Sequence, residues 1–231
     1  MDIEKEAQRL EQEIKSGQIE AVSEELRNMS PDDRKAVAQQ IEKDQQQKPA
    51  DQIPPVDFYD SGELKSVDTN LDETTQIHTE YDKATGKRKS EDFTSKDGSS
   101  SHWEYDLRTG NSVSGTYHRV DGSTDHSELD RKTMKVWTVE SDGNGRVIYT
   151  RGTDGRMRNF HYDEEGKVDQ IDGHLGHWDR VDQNGQTAWV NRDTKAVWEG
   201  DFSIDANGNV NYKPRQGTAW TFTRDGKDVR R

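Results

Sequence analysis

Three histidines recur every 24 residues, each two positions before a glutamate: His78-Thr79-Glu80, His102-Trp103-Glu104 and His126-Ser127-Glu128. Imidazole and carboxylate are both ligands for zinc or nickel. On a β-strand, residues two apart share a face, so each His and Glu would point the same way. Copies 24 residues apart have another strand between them, which separates successive histidines by about 10 Å. A metal holds its ligands at about 2 Å, so no single ion could gather them. The expected role is cross-strand pairing of His and Glu with Lys or Arg on a solvated face.

Two other groups invite a metal reading. His174-Leu175-Gly176-His177 lies beside Asp172 and Asp179. That spacing converges on a metal in a helix, but Gly173 and Gly176 predict a loop. Asp205-Ala206-Asn207-Gly208-Asn209 resembles the start of a calcium loop. An EF-hand loop needs Gly at position six and Glu at position twelve, where this chain has Gln216. Asp and Asn are expected here as turn residues, and no metal or cofactor is expected.

Catalytic patterns are missing from the sequence. Acids number 46 among 231 residues, so a chosen pair carries no information about general acid–base work. There is no Gly-x-Ser-x-Gly elbow, no P-loop and no Gly-x-Gly-x-x-Gly between strand and helix. With no cysteine there is neither a thiol nucleophile nor a disulfide framework. The expectation is a protein that is not an enzyme, an enzyme of unfamiliar type being the remaining possibility. The candidates for binding are Trp103, Trp137, Trp178, Trp189, Trp198 and Trp220. Such rings pack across strands or stack on something flat, such as a sugar ring or a partner's side chain.

The elements that must position these residues are legible from spacing. Between Tyr81 and Arg231 a turn signal falls about every 10 to 12 residues, and fixed-period similarity predicts stacked copies of one unit, here a β-hairpin. Trp103, Tyr105 and Leu107 alternate with His102, Glu104 and Asp106, and Val147/Tyr149 and Phe160/Tyr162 alternate likewise. Turns follow at Asp97-Gly98, Asp121-Gly122, Asp142-Gly143-Asn144-Gly145, Asp154-Gly155, Gln183-Asn184-Gly185, Ala206-Asn207-Gly208 and Asp225-Gly226, where Gly supplies positive φ. The fold class is mainly β: a meander of roughly a dozen short strands forming an extended, twisted or partly curled hairpin-repeat sheet. The tryptophans between Trp178 and Trp220 favour curling there.

A small helical segment precedes the strands. Ile3, Ala7, Leu10 and Ile14 share one helical face, as do Ile19, Val22, Leu26 and Met29. Ser30-Pro31-Asp32-Asp33 supplies an N-cap, a first-turn proline and two acids for a third helix. The expected organisation is a helical segment at 1–46, a Gln- and Pro-rich linker at 47–57 and a β-hairpin repeat domain at 58–231.

Composition sets the remaining bounds. Only 27% of residues are hydrophobic and 34% are charged, which suits a thin repeat that needs only neighbour-to-neighbour burial. The net charge of −13 lies mostly before Asp142, and no basic stripe offers a phosphate footprint, so nucleic acid is not an expected partner. Met1-Asp2-Ile3-Glu4 lacks the apolar run of a classical signal peptide, and no stretch could span a bilayer. The chain is therefore expected in the cytoplasm, or exported by a non-classical route, or as part of a longer protein.

Tyr162-Asp163-Glu164-Glu165-Gly166, Tyr81-Asp82-Lys83-Ala84-Thr85-Gly86 and Tyr105-Asp106-Leu107-Arg108-Thr109-Gly110 resemble the YD repeats of bacterial Rhs-type proteins. The resemblance covers roughly residues 75–230 and leaves the helices outside it. It implies an envelope-associated or secreted β-hairpin scaffold. Rhs-type sheets wrap a shell around a toxin segment, and this chain is too short to enclose one. The function expected is a non-catalytic scaffold or protein-binding module, with a carbohydrate or cell-wall-binding module using exposed tryptophans as the alternative. The partner is accordingly a protein or a cell-wall glycan.

Overall fold

The computed structural model describes residues 1–47, 53–183, 185–223 and 228–230. Part of the linker, Asn184 of one expected turn and the Asp225-Gly226 turn lie outside the described residues. The chain is mainly β, with antiparallel hairpins following three N-terminal helices. It divides into two compact units, Met1–Gly115 and Thr116–Arg231.

In the first unit, α1 (Ile3–Lys15) starts on Asp2, whose carboxylate accepts a hydrogen bond from the Lys5 backbone N–H at 3.2 Å. Helix α2 (Ile19–Asn28) follows, then α3 (Pro31–Gln47). Ser30 caps α3 by accepting from the Asp33 N–H at 3.2 Å, and Asp32 and Asp33 face the positive helix end. Short helices gain most of their stability from packing. Ala7, Leu10, Ile14, Ile19, Val22, Leu26, Val37 and Ile41 bury their side chains in one cluster with Val56, Leu64, Val67 and Tyr81 of the strands.

Those strands are β1 (Val56–Phe58), β2 (Leu64–Asn70), β3 (Thr75–Tyr81), β4 (Arg88–Ser95) and β5 (Ser100–Tyr105). Each pairs antiparallel with the next. Strand β6 (Ser112–His118) contains the division between the units. The helices expected as a separate segment at 1–46 thus share a core with the first hairpins. Their apolar stripe is too narrow to be satisfied within the helices, and the inward faces of β1–β3 complete it.

Polar contacts fix that docking. The Ser23 hydroxyl donates to the Gly86 carbonyl at 2.6 Å, and the Arg27 guanidinium donates to the Ala84 carbonyl at 2.9 Å and to the Thr85 carbonyl. Helix α2 therefore grips the β3–β4 turn. Helix α3 sits on the β1–β2 turn, where Arg34 donates to the Ser61 carbonyl at 2.9 Å and pairs with Glu63 at 2.8 Å.

The second unit contains β7 (Thr124–Asp130), β8 (Lys135–Ser141), β9 (Val147–Arg151), β10 (Met157–Tyr162), β11 (Val168–Gly173) and β12 (Trp178–Gln183). Then come β13 (Gln186–Asn191), β14 (Val197–Ile204), β15 (Val210–Pro214), β16 (Trp220–Phe222) and β17 (Asp228–Arg230). Successive strands pair antiparallel throughout. Strands outnumber the dozen expected because reversals near Gly62, Asp72, Gly176, Lys195 and Gly217 add to those read from the Asp-Gly and Asn-Gly pairs. Met134 (φ 56°) and Lys195 (φ 61°) occupy the left-handed turn position that Gly86 and Gly110 fill elsewhere.

Within this unit the strands curl toward one another. The β14–β15 turn lies against β8 and β9: a Cβ on Gly208 would come 2.3 Å from Thr150 Cγ2 and 3.2 Å from Val139 Cγ2. Arg158 of β10, only 3% exposed, donates to the carbonyls of Phe222 at 3.1 Å and Thr223 at 3.0 Å. Curling turns the aromatic face into an interior holding Trp137, Phe160, Ile171, Trp178, Trp189, Phe202 and Val210.

A candidate aromatic cleft

Strands β15 and β16 pair so that Val210 faces Phe222 and Tyr212 faces Trp220. Alternation places Val210 and Tyr212 on one side of β15, and Trp220 and Phe222 on the matching side of β16. Trp198 of β14 lies over this group, 5.1 Å from Tyr212 and 6.2 Å from Phe222 between ring centroids, its plane 16° from that of Phe222. Trp198, Tyr212, Trp220 and Phe222 line a cleft of about 390 Å³. The Tyr212 hydroxyl donates to the Glu199 carbonyl at 2.9 Å. Burial, then the nearby Glu199 carboxylate, pushes the Tyr212 hydroxyl's pKa up, so it stays protonated at neutral pH.

The six tryptophans divide by what the curl does to them. Trp189 is 1% exposed and meets Phe202 edge-on at 4.9 Å and 88°. Its Nε1–H has no acceptor among the described residues. Trp178 is buried, donates to the Leu175 carbonyl and packs against Trp198 at 4.6 Å. Trp137 is buried beside the His126 ring at 5.1 Å. Trp103 lies in the first unit, half-buried over Gly115, with its Nε1 donating to Ser101 at 3.2 Å. Trp198 and Trp220 are half-buried and line the cleft. Tyr212 and Phe222 were not among the residues singled out from sequence. Their shared parity with Val210 and Trp220 was the available signal, but only pairing of β15 with β16 brings the two sets together.

The histidines go into cross-strand pairs. Register sets Asp68 opposite His78, His78 opposite Asp92, and Asp92 opposite His102. Asp68 lies 2.5 Å from His78 Nδ1 and Asp92 lies 2.7 Å from His102 Nδ1. In the second unit Thr116 takes the aspartate's place, 2.8 Å from His126 Nδ1. The cross-strand role is as expected, with Asp rather than Lys or Arg as the partner of each first-unit histidine. Glu80 does meet a lysine, Lys89 at 3.2 Å, whose hydrogen bond holds its carboxyl below the ordinary range against partial burial.

His174 and His177 separate. His177 Nδ1 lies 2.9 Å from Asp172, whereas His174 sits 3.4 Å from Arg158. Burial first, then Arg158 and Arg156, lowers the His174 pKa and favours the neutral ring. Asp205 accepts from the backbone N–H groups of Asn207 at 2.9 Å and Asn209 at 3.0 Å, as a turn residue does. Among the described residues no three His, Asp or Glu side chains converge to hold a metal ion.

Fold and cleft together define a β-hairpin repeat protein with an aromatic recess at one set of strands. No protein-family model matches the chain, and no curated protein matches it in sequence. No helix among the described residues is long and apolar enough to cross a membrane.

Proposed function

We propose that this chain is a non-catalytic β-hairpin repeat scaffold whose aromatic cleft takes an apolar side chain of a protein partner. The observation that carries the reading is the composition of the cleft wall: four aromatic side chains, with the lone hydroxyl turned away to Glu199. A sugar needs a stacking platform and also polar groups that orient its hydroxyls. A Leu, Ile or Phe side chain needs only apolar walls, and aromatic pockets of this kind form the centre of protein interfaces. The histidines and turn aspartates support a structural rather than catalytic role, because they serve the hairpins' own hydrogen bonds. The scaffold is read as YD-like and bacterial, belonging to an envelope-associated or secreted system, on the strength of its Tyr-Asp and Asp-x-x-Gly turns.

The test is a titration of the full chain, followed by tryptophan fluorescence, with short peptides carrying a central Leu, Ile or Phe and separately with soluble β-linked oligosaccharides. A saturable response to peptide that disappears in Trp198→Ala is the expected result. Saturation by oligosaccharide alone would transfer the cleft to the glycan-binding alternative. No response to either would end both readings.

A further inference from the structure

The first unit repeats a docking position and leaves the second copy open. The β3–β4 turn, Asp82-Lys83-Ala84-Thr85-Gly86, and the β5–β6 turn, Asp106-Leu107-Arg108-Thr109-Gly110, lie 24 residues apart. They share one geometry. Gly86 N–H donates to the Asp82 carbonyl and Gly110 N–H to the Asp106 carbonyl, both at 2.7 Å. Each aspartate carboxylate accepts from the following threonine's N–H, at 2.7 Å and 2.8 Å. The two glycines have φ of 66° and 74°.

Their surroundings differ. Around the first turn, Arg27 and Ser23 of α2 occupy the three outward carbonyls, and a Cβ on Gly86 would come 2.4 Å from Arg27 Cδ. Around the second turn a Cβ on Gly110 would meet nothing within 4 Å. Lys87 Nζ donates to the Arg108 carbonyl at 3.1 Å, in the place where Arg27 serves Ala84. No hydrogen bond to the Thr109 or Gly110 carbonyl is present among the described residues. The tyrosine preceding each turn shows the same contrast: Tyr81 is buried beneath the helices, while Tyr105 is half-buried under the Arg88 guanidinium, 4.2 Å from its ring centre.

Helix α3 covers the β1–β2 turn and α2 covers the β3–β4 turn, so a helical layer advances hairpin by hairpin and stops beside the β5–β6 turn. A cleft of about 400 Å³ remains there, lined by Glu20, Glu24 and Arg27 of α2 and by Thr109 and Gly110. On its floor Arg88 pairs with Glu91 at 2.7 Å, and Lys87 keeps its charge on the Arg108 carbonyl. Glu20 and Glu24 are exposed, with Arg88 no nearer than 3.9 Å to Glu20.

We propose that this position binds a basic amphipathic helix of a partner protein, one that presents a serine and an arginine four residues apart to the 110 and 109 carbonyls as Ser23 and Arg27 do to 86 and 85. The four-residue spacing puts both side chains on one helix face. The ring of Tyr105 supplies the apolar contact that Tyr81 gives the chain's own helices, and Glu20 and Glu24 on the exposed flank of α2 favour positive charge on the facing side of the partner helix. This surface is separate from the aromatic cleft, and its failure would leave that reading untouched.

The probe is a stapled helical peptide with the sequence of residues 17–30 in which Glu20→Lys, Glu24→Lys and Glu25→Lys make it basic, titrated into the isotope-labelled full chain. The expected result is saturable shifts of the Thr109 and Gly110 amides and the Tyr105 ring. Affinity should fall about tenfold or more when the peptide's Arg27→Ala change removes a charge-assisted donor. Charge reversal in the chain, Glu24→Lys, should weaken binding several-fold with the melting curve unchanged. Absence of shifts at millimolar peptide would overturn the proposal. So would shifts centred on Thr85 and Gly86, or an affinity indifferent to the peptide's Arg27.

Discussion

Replacing Arg158 with methionine should loosen the curl of the second unit more than any other polar substitution there. The guanidinium is 3% exposed and ties β10 to the carbonyls of Phe222 and Thr223, 64 and 65 positions further along the chain. Hydrogen bonds from a charged donor contribute about 1.5–3 kcal/mol each, and methionine fills much of the volume without donating. Loss of both, partly offset because the Thr223 carbonyl is only part-buried, predicts a destabilisation of about 3 kcal/mol. Guanidinium unfolding of the full chain followed by tryptophan fluorescence reads this directly, since Trp178, Trp189 and Trp198 all lie in the affected unit. A second readout is independent of stability. Burial, and after it Arg158, lowers the pKa of His174, so the substitution should raise that pKa in an NMR titration. A loss below about 1 kcal/mol together with an unmoved His174 would refute the idea that Arg158 closes the curl.

Other expectations follow from the turns, the core and acid titration. Met134→Gly and Lys195→Gly should each stabilise by up to about 1 kcal/mol, and Gly110→Ala should destabilise by a similar amount, because a Cβ is disfavoured at positive φ; denaturant midpoints check all three. The Asp82 and Asp106 carboxyls are held below the ordinary range, Asp82 first by the Thr85 hydroxyl and Asp106 first by the Thr109 N–H. Their contribution is therefore complete above about pH 4 and lost as pH falls through the lowered values; Asp106→Asn should make the acid limb of a stability–pH curve shallower. His174 acts in the same direction at milder pH: a neutral-favouring histidine costs stability as pH falls below about 6.5, where the unfolded chain takes up the proton first. Trp189→Ala should cost about 3–5 kcal/mol, whereas Trp198→Ala should leave a folded protein with a widened cleft, as circular dichroism and unfolding curves would show.

Much of the architecture is local in origin and was therefore legible in the residues. Ser30-Pro31-Asp32-Asp33 specifies a helix start through its own backbone N–H groups. Asp-x-x-Gly and Asp-x-x-Thr-Gly specify reversals because the aspartate satisfies nearby N–H groups, two and four positions ahead in the first and two and three ahead in the second. The 24-residue repeat placed His78 and His102 on equivalent strands, and antiparallel register then sets each opposite an aspartate. Lys195 escaped because its turn uses a left-handed residue that is not glycine, held by the surrounding hairpin rather than by its own preference.

What tertiary structure alone decided is which faces become interior. Six tryptophans look alike in an alternating strand, yet Trp189 and Trp178 are enclosed while Trp198 and Trp220 line a cleft. The difference comes from curling, fixed by Arg158 on distant carbonyls and by Gly208 lying on Thr150, contacts between residues about 60 positions apart that no periodicity encodes. The helices tell the same story. Their apolar stripes announce burial, but that they would close over Tyr81 and grip the carbonyls of 84–86 depends on an approach of backbone to side chain that exists only once the chain has folded.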